Sequence, residues 1–262
     1  MIAASDLAGF ASGGAVGFVL GLIGGGGSIL AVPLLVYGVG VASPHVAIGT
    51  SAVAVALSAA ANLVGHARAG NVKWPCATVF AAAGIVGAAL GSQLGKAIDG
   101  GRLLLLFGML MLAVAAAMLL RRDDGGDPEV RLTSNSAGRL LPRLAGFGAA
   151  VGALSGFFGI GGGFLVVPGL LASTRMPLIV AIGSSLVAVT AFGATTAASY
   201  AWSGLVDWRL VAVFVAGGVL GGIAGAASGR RLAARKALLS RLFALIVAAT
   251  GLYVVVRGLG NL

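Results

Sequence analysis

Apolar stretches of helical length, separated by short polar or glycine-rich breaks, fill almost the whole chain. Leu103 to Leu120 reads LLLLFGMLMLAVAAAMLL without a single charge. Eighteen residues at about 1.5 Å each reach roughly 27 Å, close to the thickness of a bilayer's hydrocarbon core. The pattern predicts five apolar segments in the first part of the chain, near 7–23, 28–42, 45–65, 75–95 and 103–120. Five more follow near 143–158, 163–173, 178–201, 209–228 and 238–257. Between the two sets lies one hydrophilic stretch, Arg121 to Arg139, holding four of the seven acids.

The two sets are copies of one unit at an offset of about 135 residues. GLIGGGGSILAVP (Gly21 to Pro33) matches GFFGIGGGFLVVP (Gly156 to Pro168), and AIGTSAVAV (Ala47 to Val55) matches AIGSSLVAV (Ala181 to Val189). GNVKW (Gly70 to Trp74) matches GLVDW (Gly204 to Trp208), and Gly84, Gly87, Gly91 and Gly95 match Gly218, Gly221, Gly225 and Gly229. Four blocks in one order at a nearly constant offset identify an internal duplication. Residues 1–120 form the first membrane repeat, 121–140 a linker and 141–262 the second repeat.

Composition agrees. Hydrophobic residues make up 59% of the chain and charged residues 9%, where a soluble domain carries about 25% charge. Such a chain cannot cover itself with a water-compatible surface, so lipid is its solvent. The 45 glycines, costly in an isolated soluble helix, let membrane helices approach closely. The expected fold is an all-α, polytopic transmembrane helical bundle of 8 to 10 helices, depending on whether the short pieces beside the glycine clusters span or re-enter.

The net charge of +10 is scattered in short runs between apolar segments, which excludes a nucleic-acid surface and fits loops facing anionic lipid. A single cysteine, Cys76, excludes an internal disulfide and a multi-cysteine metal site. The first basic residue is Arg68, so the first apolar segment lacks the positive flank of a signal peptide and is expected to stay in the mature protein. If each repeat crosses the membrane an odd number of times, one side collects thirteen basic residues and the other only Lys96, Arg102, Arg209 and Arg257. An even number divides them nine to eight. Cytoplasmic loops carry the Lys/Arg excess. The charge pattern therefore predicts inverted-topology repeats, a cytoplasmic linker and both termini on the opposite side.

Each repeat opens with a glycine-broken helix pair: Gly24, Gly25, Gly26 and Gly27 in one copy, and Gly159, Gly161, Gly162 and Gly163 in the other. Four glycines in a row disfavour continuous helix. Unwound backbone at membrane depth must be buried in protein or line a watery cavity. Breaks at equivalent places in two halves point to a binding site. The alternative role, tight helix crossing, suits the Gly84–Gly95 stripe better. None of the seven acids lies inside an apolar segment, so the site has no carboxylate to hold a cation. Freed N–H groups and the helix starts near Ser28 and Phe164 favour an anion instead.

Candidate polar partners are Ser28, Thr50, Ser51, Asn62, Ser184, Ser185, Thr195, Thr196 and Ser199, although Ser and Thr commonly bond their own helix backbone. His66 stands where the second copy has Tyr200, with Arg68 beside it, and either gates, binds an anion or simply marks a helix end. His45 and the three tryptophans read as interfacial residues.

The doubled glycine block, the AIGTS/AIGSS pair and the G-x-V-x-W pair together resemble the TauE/SafE family of sulfite exporter-like permeases over about Leu7 to Leu259, the linker excepted. The resemblance implies transport of a small sulfur oxyanion or organosulfonate across a bacterial-type plasma (inner) membrane. Gly25 is matched by Ile160 and Ser28 by Gly163, so the two glycine tips differ. The expected function is export of a small anion by alternating access, with no cofactor or metal; the expected partners are the anion and the bilayer, and a homo-oligomer is compatible with the sequence. A channel, or a permease for a non-sulfur metabolite, shares these features. An intramembrane enzyme does not: paired acids, a serine with its base and clustered metal ligands are all missing from the apolar segments.

Overall fold

The computed structural model describes residues 4–23, 25–120, 134–159, 161, 163–231 and 236–260. Among them the chain is helical and without strands. Helix α1 spans Ala4–Ile23. A short mixed stretch follows: a 3-10 segment Gly25–Leu30, the single turn α2 (Ala31–Pro33) and a π-helical segment Leu34–Val39. Helices α3 (Pro44–Arg68), α4 (Trp74–Ala97) and α5 (Gly100–Leu120) complete the first repeat. The second contains α6 (Ser134–Phe158), α7 (Gly163–Thr174), α8 (Leu178–Trp202), α9 (Trp208–Arg231) and α10 (Lys236–Leu259). Six described helices are long and apolar enough to cross a membrane; Gly27–Val39 and Gly163–Thr174 are apolar but short. At 1.5 Å per residue, α7 covers only about 18 Å of a core about 30 Å thick.

Local chemistry sets the helix ends. Ser43 accepts the Val46 N–H at 3.4 Å at the start of α3, with Pro44 in the first turn. Asp99 Oδ2 accepts the N–H groups of Gly101 and Arg102 at 3.0 and 3.2 Å, capping α5. Asp207 Oδ1 accepts the Leu210 N–H at 3.0 Å and caps α9. The two segment-end acids are thus helix caps, where a carboxylate meets the positive end of the dipole. The G-x-V-x-W blocks end α3 and α8 alike: Gly70 and Gly204 adopt φ of 70° and 69°. Asn71 donates to His66 O at 3.0 Å and Leu205 to Tyr200 O at 2.9 Å, the Schellman closure.

The repeats interlock. The first long helix of each packs along the fourth of the other, α1 on α9 and α6 on α4, while α3 packs on α8 and α5 on α10. Glycines make the closest contacts. A methyl group at Gly152 would fall on the carbonyl of Gly84, and one at Gly17 on the carbonyl of Gly218, positions related by the repeat offset. The same holds for Gly91 against Ala153 and Gly225 against Phe18. Backbones this close gain dispersion and Cα–H···O contacts that bulkier residues forbid. The glycine stripe expected to serve packing does so.

Hydrogen bonds between the repeats are reciprocal too. Thr50 Oγ1 accepts the Asp207 N–H at 3.0 Å, and Ser184 Oγ accepts the Lys73 N–H at 2.9 Å. Asp207 follows α8 and Thr50 lies near the start of α3, whereas Lys73 follows α3 and Ser184 lies near the start of α8. The equivalent helices α3 and α8 therefore run antiparallel. Arg209 pairs with Asp6 at 2.6 Å, and Lys96 reaches Ser203, so both lie at the end of the bundle where α3 begins.

The structure departs from the hydropathy pattern at two places. Helix α6 starts at Ser134, inside the stretch read as linker and nine residues before the apolar run. Hydropathy reports where lipid begins, whereas a helix is held by its own backbone bonds and can continue into polar surroundings beyond the apolar run. The remainder of the linker, 121–133, lies outside the described residues. The first glycine cluster is also wound rather than open, as a 3-10 turn from Gly25. There a β-carbon on Gly27 would stand 2.7 Å from Val16 O and Leu20 N, so the chain doubles back tightly on α1.

This packing predicts a contrast between two glycines. Gly152→Leu pushes α6 off α4 and is expected to abolish folded protein in detergent, whereas Gly65→Leu, with nothing within 4 Å, leaves yield and melting temperature unchanged. Size-exclusion profiles and thermal unfolding of the two variants check it.

Candidate functional site

The second glycine turn is delivered to the bundle centre by α6. Held along α4, this helix ends at Phe158, and the chain reverses through Gly159 and Gly161 before α7 starts at Gly163. Gly159 and Gly161 have φ of 65° and 63°, a region that costs other L-residues about 1–2 kcal/mol. Space is as restrictive as conformation. A β-carbon on Gly159 would strike the Ile48 side chain, and one on Gly161 would stand 2.8 Å from Val55 Cγ1. The Gly161 position is also 3.8 Å from the Gly193 Cα of α8. The turn thus occupies the crossing of α3 and α8, where Gly193 in turn faces Ala52 and Ala56.

Unpartnered hydroxyls gather around this turn. Ser155 stands one helical turn before Gly159, and Thr196 and Tyr200 stand one and two turns beyond Gly193. All three side chains are fully buried, and among the described residues Ser155 Oγ, Thr196 Oγ1 and Tyr200 OH have no hydrogen-bond partner. Tyr200 Cβ lies 2.9 Å from where a β-carbon on Gly49 would be, one residue from Ile48. A buried polar group without a partner costs about 1–3 kcal/mol. Native cores carry few such groups, and each calls for an explanation in water, an ion or function. His66 Nδ1, at the position equivalent to Tyr200, is likewise unpartnered. It sits near the opposite end of α3 from Ile48.

Other candidates already have protein partners, Ser51 at the turn itself. Thr50 and Ser184 accept the inter-repeat backbone bonds described above, which leaves each hydroxyl proton free to donate. Ser51 donates to Ile48 O at 2.9 Å, with Gly159 O at 3.5 Å, and Ser185 donates to Ile182 O at 2.7 Å. Asn62 bonds Ser58 O and Thr195 bonds Ala191 O. Ser28 is wholly buried. Gly25 and Gly26 lie in the 3-10 segment, and Gly24 and Gly162 fall outside the described residues. Arg68 is exposed at the end of α3 remote from the second glycine turn, so the structure does not bring it to the other candidates. His45, at the start of α3, faces the last carbonyls of α4, Gly95 O at 3.3 Å and Ile98 O at 3.1 Å.

The sequence reading missed Ser155. Its one signal is the exchange between copies, since the equivalent residue of the first repeat is Leu20. The site that results has bare backbone and donor-capable hydroxyls and, among the described residues, no carboxylate. No cluster of potential metal ligands occurs among the described residues. Such a surface can replace part of the hydration shell of a small anion.

Comparisons with known proteins extend this picture. The family described as "Sulfite exporter TauE/SafE" matches residues 9–254. A "Probable membrane transporter protein" of Xylella fastidiosa is 51% identical over 251 residues, covering 96% of this chain and 95% of its own length. "Probable membrane transporter protein YdhB" of Bacillus subtilis is 25% identical over 77% of this chain and 81% of its own. A similarly named protein of Methanocaldococcus jannaschii, MJ0441, is 29% identical over 68% of each. No solved structure matches.

The orphaned hydroxyls separate function from stability. Thr196→Val removes a buried group that has no protein partner, so thermal stability is expected to hold or rise by up to about 1 kcal/mol while solute flux in proteoliposomes falls. A parallel loss of stability and flux would show instead that Thr196 is a packing residue.

Proposed function

The chain belongs to the sulfite exporter TauE/SafE family, and from that premise we propose that it moves a small anion, a sulfur oxyanion or organosulfonate, out of the cytoplasm by alternating access. The membrane transporter class follows from the family and from the relatives' names. The cargo reading is carried by one observation: the glycine turn and its unpartnered hydroxyls lie at the crossing of the antiparallel helices α3 and α8, while the described acids are engaged with other groups, Asp6 with Arg209 and Asp99 and Asp207 as helix caps. Bare backbone permits an oxyanion to approach N–H groups directly, and the hydroxyls complete the cage without a carboxylate to repel it.

The two repeats are read as inverted in the membrane, with the linker and the Arg230–Arg241 run in the cytoplasm and both termini opposite. The antiparallel run of α3 and α8 and the loop charges support this. Trp202 and Trp208, both largely exposed, lie at one end of the bundle, and Trp74 lies at the other, as interfacial belts do. A bacterial-type inner membrane is the location this topology suits.

Purified protein titrated with sulfite, thiosulfate, sulfoacetate, sulfate and chloride is expected to gain thermal stability with a sulfur oxyanion, about 2.7 kcal/mol at a hundredfold excess over Kd. Flux in proteoliposomes should saturate; unsaturated conductance would favour a channel. Gly161→Ala combined with Val55→Ala, which relieves the 2.8 Å contact, should fold yet lose the ligand-induced shift. In a Cys76→Ala background, a cysteine placed at Gly125 should resist an impermeant thiol reagent added outside intact cells. Labelling there from outside would refute the orientation.

A further inference from the structure

Lys96 presents a cation that the glycine site does not use. It lies in the last turn of α4, partly buried against the end of α8. Its ammonium donates to Ser199 O at 3.2 Å and to Ser203 Oγ at 3.0 Å, and stands 5.8 Å from the centre of the Tyr200 ring. Ser199 Oγ pairs with Ser92 Oγ at 3.0 Å and receives Gln93 Nε2 at 3.5 Å. Among the described residues no carboxylate pairs with it. The nearest acid along the chain, Asp99, is committed to capping α5. An ammonium has three N–H donors, and two are occupied, so one remains for a ligand.

We propose that Lys96, with Ser203 and Ser199, is a second anion station at the mouth of the route, at the end of the bundle where α3 begins. This rests on the anion reading of the glycine turn and goes beyond it by placing a separate subsite between that turn and the aqueous phase. Tyr200 joins the two: its ring lies beneath the ammonium, and its hydroxyl is among the unpartnered groups near the turn. The loop charges put this end opposite the cytoplasm, so the station receives the anion on its way out. A hydroxyl-braced ammonium suits a compact oxyanion, which takes a hydrogen bond and a charge at one point. A residue that merely anchored α4 at the interface would need no bracing by Ser199 of α8 and Ser203 just beyond its end. The equivalent position of the second repeat is also basic, Arg230.

The test uses Lys96→Cys in the Cys76→Ala background, purified and reconstituted, with sulfite as the probe. Removing the charge is expected to raise the KM for sulfite about tenfold with the maximal rate within about twofold, the loss expected for one charge-assisted hydrogen bond. Modification by a cationic methanethiosulfonate should return KM to near the starting value, whereas a neutral reagent of similar size should not. An unchanged KM in the cysteine variant, or equal rescue by the neutral reagent, overturns the station while leaving the glycine site standing. If the cysteine variant is unstable, Lys96→Gln and Lys96→Arg carry the comparison, with a raised KM expected only for glutamine. Failure of the unmodified protein to move sulfite while moving a non-sulfur anion removes the sulfur assignment, and the same variants read with that anion then decide the station. Failure to move any anion removes both proposals.

Discussion

The approach of glycine to backbone carbonyl along α4·α6 and α1·α9 is the contact on which the rest of this structure depends. These interfaces are made twice, in equivalent places, and each joins the first helix of one repeat to the fourth of the other. Neither repeat can therefore be assembled alone without exposing a glycine-lined groove. In lipid there is no hydrophobic drive to bring helices together, so close backbone packing has to supply the attraction.

That interlock positions the glycine turns. Because α6 is pinned along α4, its end projects Gly159 and Gly161 onto Ile48 and Val55 of α3, deep in protein and away from lipid. Backbone that leaves helical geometry at membrane depth is tolerated only in such a place. The inter-repeat bonds from Thr50 and Ser184 hold the opposite ends of α3 and α8 in register, so the crossing at which the turn sits is fixed from both sides.

The two copies share a frame but not a lining. In the first, Gly27 folds against Val16 and Leu20, and the cluster is wound into a 3-10 turn. In the second, Ser155 replaces the residue corresponding to Leu20, and three buried hydroxyls have no partner among the described residues. A duplicated scaffold has thus kept its packing glycines and diverged where polar groups face the interior. Divergence of this kind permits an asymmetric cargo to be held by a symmetric frame.

By itself the sequence determined that lipid is the solvent, that the chain is a duplication, and nearly every helix boundary. These follow from hydropathy and local chain stiffness, which are properties of neighbouring residues. It also showed that Gly84 to Gly95 are spaced for packing and that no acid enters an apolar segment. Only the tertiary structure decided which hydroxyls already hold a partner from the other repeat: Thr50 and Ser184 look equivalent to Thr196 in the sequence, yet each accepts a backbone N–H across the repeats, while Thr196 has no partner among the described residues. It also separated Arg68 from the second glycine turn, found Ser155 there, and set Lys96 against α8. The reason is physical. Hydrogen-bond satisfaction and charge pairing depend on which atoms lie within about 3 Å, and the deciding neighbours of Thr50, Ser184 and Lys96 come from segments more than a hundred residues away, brought together by the interlocked repeats.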